Sequence, residues 1–221
     1  MKAKISEIFK SIQGEGPYQG ITQVFIRFFG CNLKCNFCDT KLKDYREMDV
    51  SELVRKISAF RNYHSIALTG GEPLIQIEFL KSLAKLLKAD KKTIYLETNG
   101  TLPQNLNKIV DYIDIVAMDF KLPSSTTLKD FWAKHREFLR IAHNKDVFIK
   151  AVIGNGTRIE DVRIGTAIIK EVRKDIPFIL QPQNPFEDEL KEKLRYFEKV
   201  CKQRSIKVKV IPQLHKKLGL K

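Results

Sequence analysis

The chain has 221 residues and lacks any segment approaching the roughly 18 unbroken apolar residues of a membrane span. Its start, MKAKISEIFK, lacks the apolar core of a secretory signal, so a cytoplasmic location is expected and no membrane partner. Low-complexity tracts, long linkers and sharp composition shifts are also missing, and one domain covering 1–221 is expected. Cysteine is scarce, with four in the chain. In a reducing compartment that excludes a disulfide framework and points to a metal or redox site where thiols cluster. Acid is in short supply: Asp and Glu number 26 against 40 Lys and Arg, a net charge of +14. Such an excess can mark a nucleic-acid surface. Here the bases are scattered through KSLAKLLKADKK, KEVRKD and KEKLRYFEKVCKQR, with acids among many of them. Solvated helix faces are the preferred reading, and no direct nucleic-acid contact is expected. A positive field would still draw small anions.

What is present is an alternation. Strand-like runs occur at 22–29, 65–69, 93–98, 114–120, 146–153, 177–182 and 206–212. Helix-period stretches lie between them, and in IEFLKSLAKLLK the residues Phe79, Leu80, Leu83, Leu86 and Leu87 form one stripe. Alternation at this spacing predicts right-handed strand–helix–strand units around a parallel sheet. Six or seven strands are too few for the eight-stranded closed barrel of about 250 residues. The expected class is α/β, a partial (β/α)6 TIM-like barrel, with its chemistry at the carboxyl ends of the strands.

The first long strand runs directly into GCNLKCNFCDT, which carries Cys31, Cys35 and Cys38. A structural zinc site wants four closed ligands. Cys201 falls on the apolar stripe of its own helix with Leu190, Leu194 and Phe197, which makes it a core residue. His64 has no partner histidine at ligand spacing. An iron–sulfur cube takes one thiolate per iron, and three thiolates leave one iron open for another ligand.

CxxxCxxC followed by SIALTGGEP, and by LETNG at the next strand end, resembles the radical S-adenosylmethionine superfamily. Within it, SIQGEGPYQG, VFIRFFGCN, FCDT, MDFKLPSS, LQPQNP and the terminal IPQLHKKLG are similar to the family of 7-carboxy-7-deazaguanine synthases along nearly the whole chain. The resemblance implies a 4Fe–4S cluster on Cys31, Cys35 and Cys38, whose open iron holds S-adenosylmethionine. One electron then cleaves the cofactor to a 5′-deoxyadenosyl radical that takes hydrogen from the substrate. It implies ring contraction of 6-carboxy-5,6,7,8-tetrahydropterin to 7-carboxy-7-deazaguanine with loss of ammonia, on the route to queuosine. It also implies an electron donor such as flavodoxin or ferredoxin, and a homodimer.

Carried over by position, Ile12, Gln13 and Gly14 lie against the substrate, Arg27 grips its carboxylate and Thr69 touches the pterin. Thr40 supplies a hydroxyl to Mg²⁺. Phe37, Cys38, Asp39, Gly71, Asp119, Phe120, Lys121, Gln181, Pro182, Gln183 and Asn184 match S-adenosylmethionine contacts. Where some members have Ser-Pro-Lys, this chain has Asp119-Phe120-Lys121, so Lys121 is the full match there. The final GLK offers no match to the residue that other members place in the pocket.

The residues read on their own agree. Gly70 and Gly71 have no side chains to keep a ligand from the backbone. A strand arginine in an apolar setting needs an anion, and its planar fork suits a carboxylate. That anion is a substrate carboxylate or a glutamate of this chain such as Glu15. A neutral hydroxyl with water and substrate oxygens suits Mg²⁺. Two rivals stand beside this reading. A glycyl-radical-enzyme activase would leave QGEG and CDT without a purpose, and a metal-bearing nucleic-acid module would bind with steep salt dependence.

Overall fold

The computed structural model describes residues 1–38, 42–186 and 188–219. Its strands are β1 (Lys2–Ile12), β2 (Thr22–Phe28), β3 (Arg46–Asp49), β4 (Ser65–Gly70), β5 (Ile94–Thr98), β6 (Ile115–Asp119), β7 (Asp146–Ile153), β8 (Phe178–Pro182) and β9 (Val208–Val210). The helices are α1 (Val50–Ile57), α2 (Ile77–Ala89), α3 (Pro103–Asn107), α4 (Pro123–Thr126), α5 (Trp132–Ala142), α6 (Ile159–Val172), α7 (Glu189–Gln203) and α8 (Leu214–Leu218). All strands belong to one open sheet of order β3-β1-β2-β4-β5-β6-β7-β8-β9. From β2 through β4 to β9 every neighbouring pair is parallel, while β1 runs antiparallel to both β2 and β3. This is the partial barrel expected, extended at one edge by two strands the sequence pattern did not reveal.

Those two were hidden by polarity. In β1, Ala3 and Ile5 are buried while Lys2 and Lys4 face water, the alternation of a strand with one wet face. In β3 only Met48 is buried. The five longer helices, α1, α2, α5, α6 and α7, form where the apolar period predicts them. Asp49 caps α1 by accepting a hydrogen bond from the Glu52 amide at 2.8 Å, a contact worth about 1 kcal/mol. In α2 the residues Phe79, Leu80, Leu83 and Leu87 are buried, but Leu86 is 48% exposed and stands off the stripe. Fully burying one such side chain contributes about 1.5–3 kcal/mol, so four of them fix which face of α2 meets the sheet. Cys201 is buried on α7 beside Leu194 and Phe197, and burial pushes its thiol up to about 12.

Two cores result. The larger joins the outer face of the sheet to the helices. The smaller lies inside the curve, built from Phe25, Ala67, Tyr95, Ile115, Ala117, Phe148 and Ile179, with Tyr18 packed against it. Tyr18 belongs to the Gly16–Tyr18 turn and meets Tyr95 edge-on at 5.6 Å. The QGEG segment is thereby held across the inner face, where Gln13, Glu15 and their neighbours overhang the carboxyl ends of the strands. No helix among the described residues is long and apolar enough to cross a membrane.

Candidate active site

Strand register brings the polar side chains to one level. Arg27 on β2 pairs with Thr69 on β4, and Asp119 on β6 pairs with Lys150 on β7. Above the sheet lie two adjoining cavities. The larger, of about 530 Å³, is bounded by β1 and β2 and reaches Glu7, Arg27, Thr69 and Glu97. The smaller, of about 400 Å³, carries Cys31, Cys35 and Cys38 on one side and Asp119, Lys150 and Gln181 on the other. Glu15, Thr69, Glu97 and Gln213 belong to the walls of both.

In the larger cavity the Arg27 guanidinium donates to Glu7 at 2.8 Å and lies over the Phe9 ring, 5.0 Å from its centroid. The expected in-chain alternative, Glu15, is not its partner. Glu15 is instead claimed by Lys150, by Gln181 at 3.1 Å and by Gln213 at 2.5 Å. Thr69 donates its hydroxyl to Glu97 at 2.5 Å, and the buried Gln13 amide donates to Glu97 at 2.8 Å and to Gln23 at 3.0 Å. Ile12 and Gly14 line the same space. Burial holds the Glu97 carboxyl above the ordinary range despite the nearby Lys150 charge.

In the smaller cavity the charges form a largely buried chain. Lys121 pairs with Asp119 at 2.8 Å, Asp119 lies 3.2 Å from Lys150, and Lys150 pairs with Glu15. Burial alone would lower the Lys150 ammonium, but Asp119 and Glu15 carry it well above the usual lysine range. Burial would likewise raise Glu15, yet the Lys150 charge keeps it below the usual carboxylate range. Phe37, Gly71, Pro182, Gln183 and Asn184 line this cavity. Phe120 does not. Its ring is buried in the helix layer against Trp132, His135 and Phe178, so the backbone is what it presents at the strand end. Asp39 and Thr40 lie outside the described residues.

The TGGEP segment is shaped by backbone crowding. A Cβ on Gly71 would lie 1.9 Å from the Gly30 carbonyl oxygen, and one on Gly70, where φ is +124°, would lie 2.3 Å from that of Phe28. Only glycine lets the two loops pass so closely. Glu72 then turns inward. It is fully buried and accepts from the amides of Leu74 and Asn99 and from the Thr98 hydroxyl. Desolvation outweighs those bonds and lifts its carboxyl to about 7.

Comparison with known proteins decides what this arrangement is. The model of the radical SAM superfamily matches residues 25–164. A 7-carboxy-7-deazaguanine synthase of Geobacter sulfurreducens is 35% identical, the match covering 98% of this chain and 97% of the relative. The synthase of Archaeoglobus fulgidus is 34% identical with both chains fully covered. The chain belongs to the 7-carboxy-7-deazaguanine synthase family. It is a radical SAM enzyme, of a class that works with a 4Fe–4S cluster and S-adenosylmethionine. The solved QueE of Escherichia coli shares the fold, with a TM-score of 0.65 at 22% identity over 95% of this chain and 94% of that one.

The residues present fit a synthase's cofactors. Among the described residues no three His, Cys, Asp or Glu side chains converge to chelate one metal ion. A cube needs a wider set, because each thiolate takes its own iron. Cys31 and Cys38 are exposed and Cys35 is half-buried on the cavity wall. Burial holds the Cys31 and Cys35 thiols above the ordinary range, and a coordinating metal deprotonates such a thiol outright. Facing them, Gln181 Oε1 is buried without a hydrogen-bond partner among the described residues, an acceptor suited to a polar ligand.

Sequence reasoning missed Glu97, Lys150, Gln213 and His215 as members of the site. Gln213 and His215 arrive on the C-terminal segment, where the Leu214 amide donates to the Gly14 carbonyl at 2.8 Å. The match of IPQLHKKLG to the family was the signal for these two, and LETNG at the strand end was the signal for Glu97.

Proposed function

We propose that the enzyme binds 6-carboxy-5,6,7,8-tetrahydropterin in the larger cavity and S-adenosylmethionine in the smaller one, and releases 7-carboxy-7-deazaguanine and ammonia. The observation that carries this is the pair of adjoining cavities, one holding three thiols and the other an arginine, with Glu15, Thr69, Glu97 and Gln213 in their common wall. Cys31, Cys35 and Cys38 would hold the cluster, which supplies the electron that turns S-adenosylmethionine into a hydrogen-abstracting radical.

Everything else is work for the chain. Arg27 exchanges Glu7 for the substrate carboxylate, a pairing its two-pronged donor geometry favours. Ile12, Gln13 and Gly14 border the ring, and Thr69 turns its hydroxyl between Glu97 and the pterin. Gly71, Phe37, Lys121, Gln181, Gln183 and Asn184 enclose S-adenosylmethionine, with Asp119, Phe120 and Pro182 at the same strand ends. Cys38 and Asp39 adjoin it from the thiol loop, and Thr40 contributes its hydroxyl to Mg²⁺. The reading extends to a single domain, a cytoplasmic homodimer, a flavodoxin- or ferredoxin-like reductant and no nucleic-acid partner.

Anaerobic incubation of cluster-loaded protein with reductant, S-adenosylmethionine and the carboxypterin, followed by mass analysis, tests the proposal. Formation of 7-carboxy-7-deazaguanine is the expected result. Cofactor cleavage with the pterin left untouched would overturn it and favour an activase.

A further inference from the structure

The amide of Asn99 is fully engaged, and one of its partners is a thiol. Its Nδ2 donates to Asn32 Oδ1 at 2.9 Å and reaches Cys31 Sγ at 3.9 Å. Its Oδ1 accepts from the amide and the hydroxyl of Thr101, at 3.0 and 2.6 Å. Asn32 closes the ring by donating to the Thr101 hydroxyl at 2.9 Å. The backbone of Asn99 is clamped as well, its N–H by Glu72 Oε2 at 2.7 Å and its carbonyl by His135 Nε2 at 3.2 Å. A residue 5% exposed and held at both backbone and side chain has one orientation, and that orientation aims an N–H at sulfur. Cys31 Sγ receives a second N–H from the Leu33 amide at 3.4 Å.

We propose that Asn99 is a positioning residue for Cys31 that tunes the cluster this thiolate helps to hold. The inference rests on the assignment of Cys31 as a ligand. Each N–H directed at a thiolate stabilises negative charge on the sulfur, and the reduced cluster carries one more electron than the oxidised one. Hydrogen bonds to the sulfurs therefore raise the reduction potential. Glu72 and His135 serve the same end at one remove, since they fix the peptide from which the amide projects.

The test is a redox titration of the cluster, followed by electron paramagnetic resonance, in wild type, Asn99→Ala, Asn99→Asp and Asn32→Ala. Asn99→Ala should lower the reduction equilibrium constant by a few-fold up to about tenfold, which for one electron is at most about 59 mV. Asn99→Asp keeps the shape, removes the donor and adds a negative charge, and should lower it further. Asn32→Ala keeps the donor to sulfur and should shift least. Two outcomes overturn the proposal. One is a full iron load at wild-type potential in both Asn99 variants. The other is loss of loading with a matching fall in melting temperature of the iron-free protein, the mark of a role in folding alone. Cys31→Ala, measured alongside, separates the two claims. Four irons retained in that variant would defeat the ligand assignment, whereas unchanged potentials in the Asn99 variants would defeat only the role of Asn99.

Discussion

The two cavities share a wall and differ in how they keep their charges. In the larger, Arg27 and Glu7 are 29% and 31% exposed at their side chains, so solvent screens the pair, and on the proposed reading the substrate carboxylate displaces Glu7. In the smaller, Lys150 and Glu15 are 13% and 16% exposed, and each is bound further by Asp119, Gln181 or Gln213. Exchangeable charge suits a cavity that must take up a new anion at each turnover. Locked charge suits a cavity whose geometry must not relax while a reactive species is present. Position explains the difference, since Arg27 lies near the antiparallel rim and Lys150 in the middle of the parallel sheet.

Breaking the locked side should have the largest effect. Lys150→Met takes from Glu15 its lysine partner and leaves Asp119 with Lys121 alone, and removing one partner of a largely buried pair costs about 3–5 kcal/mol. Chemical denaturation of wild type and variant measures it. A loss below 1 kcal/mol would mean that the smaller cavity is as yielding as the larger.

Next comes Glu72, beneath the same cavity. Its carboxyl is held at about 7 against a usual 4.5. A folded value above the unfolded one means that its contribution is complete below about pH 4.5 and fades as the pH rises through 7. At about 1.36 kcal/mol per unit, the decline is on the order of 3 kcal/mol. The buried His135, held down to about 4, stabilises wild type and Glu72→Gln alike as the pH rises over the same range. The difference in unfolding free energy between the two proteins, followed from pH 4.5 to 8, should therefore show that decline. Parallel profiles would place the titration elsewhere.

The smallest effect is expected outside both cavities. Cys201→Ala removes a buried sulfur from α7 and should cost about 1 kcal/mol as a modest truncation, with iron content unchanged. Alanine at Cys31, Cys35 or Cys38 should instead abolish stoichiometric iron loading. Iron analysis of the four variants compares them directly, and dependence of the cluster on Cys201 would contradict the ligand set.

What could be read from the sequence divides along the same line. CxxxCxxC and TGGEP are contiguous, and their chemistry follows from neighbours in the chain, so the thiol side of the smaller cavity was legible. Alternating apolar runs made the parallel sheet legible too, because burial on both faces leaves long hydrophobic strands. β1 was not, since its wet face sets Lys2 and Lys4 between its apolar residues. The opposing wall was also hidden. Lys150 sits inside DVFIKAVI, and nothing local says that strand register will bring it to Asp119 or that the loop after β1 will lay Glu15 against it. The same register explains why Glu7, and not Glu15, meets Arg27: β1 pairs directly with β2 and places Glu7 opposite Arg27, while Lys150 draws Glu15 away. Phe120 was read as a site residue because its strand-end segment matches the family's cofactor contacts, but the alternation of side chains there sends its ring to the helices.

The division of labour between the cavities is tested most directly by anaerobic calorimetry of the carboxypterin with wild type, Arg27→Ala and Arg27→Lys. Truncating one member of a desolvated charge pair costs about 2–5 kcal/mol, and each 1.4 kcal/mol is about tenfold. Because Glu7 already occupies Arg27 in the free protein, the lower end of that range applies. The account predicts at least about tenfold weaker binding for Arg27→Ala, an intermediate value for Arg27→Lys, and cofactor cleavage without substrate unchanged in all three. Equal affinities in the three proteins would make Arg27 no more than the internal partner of Glu7 and would contradict the account.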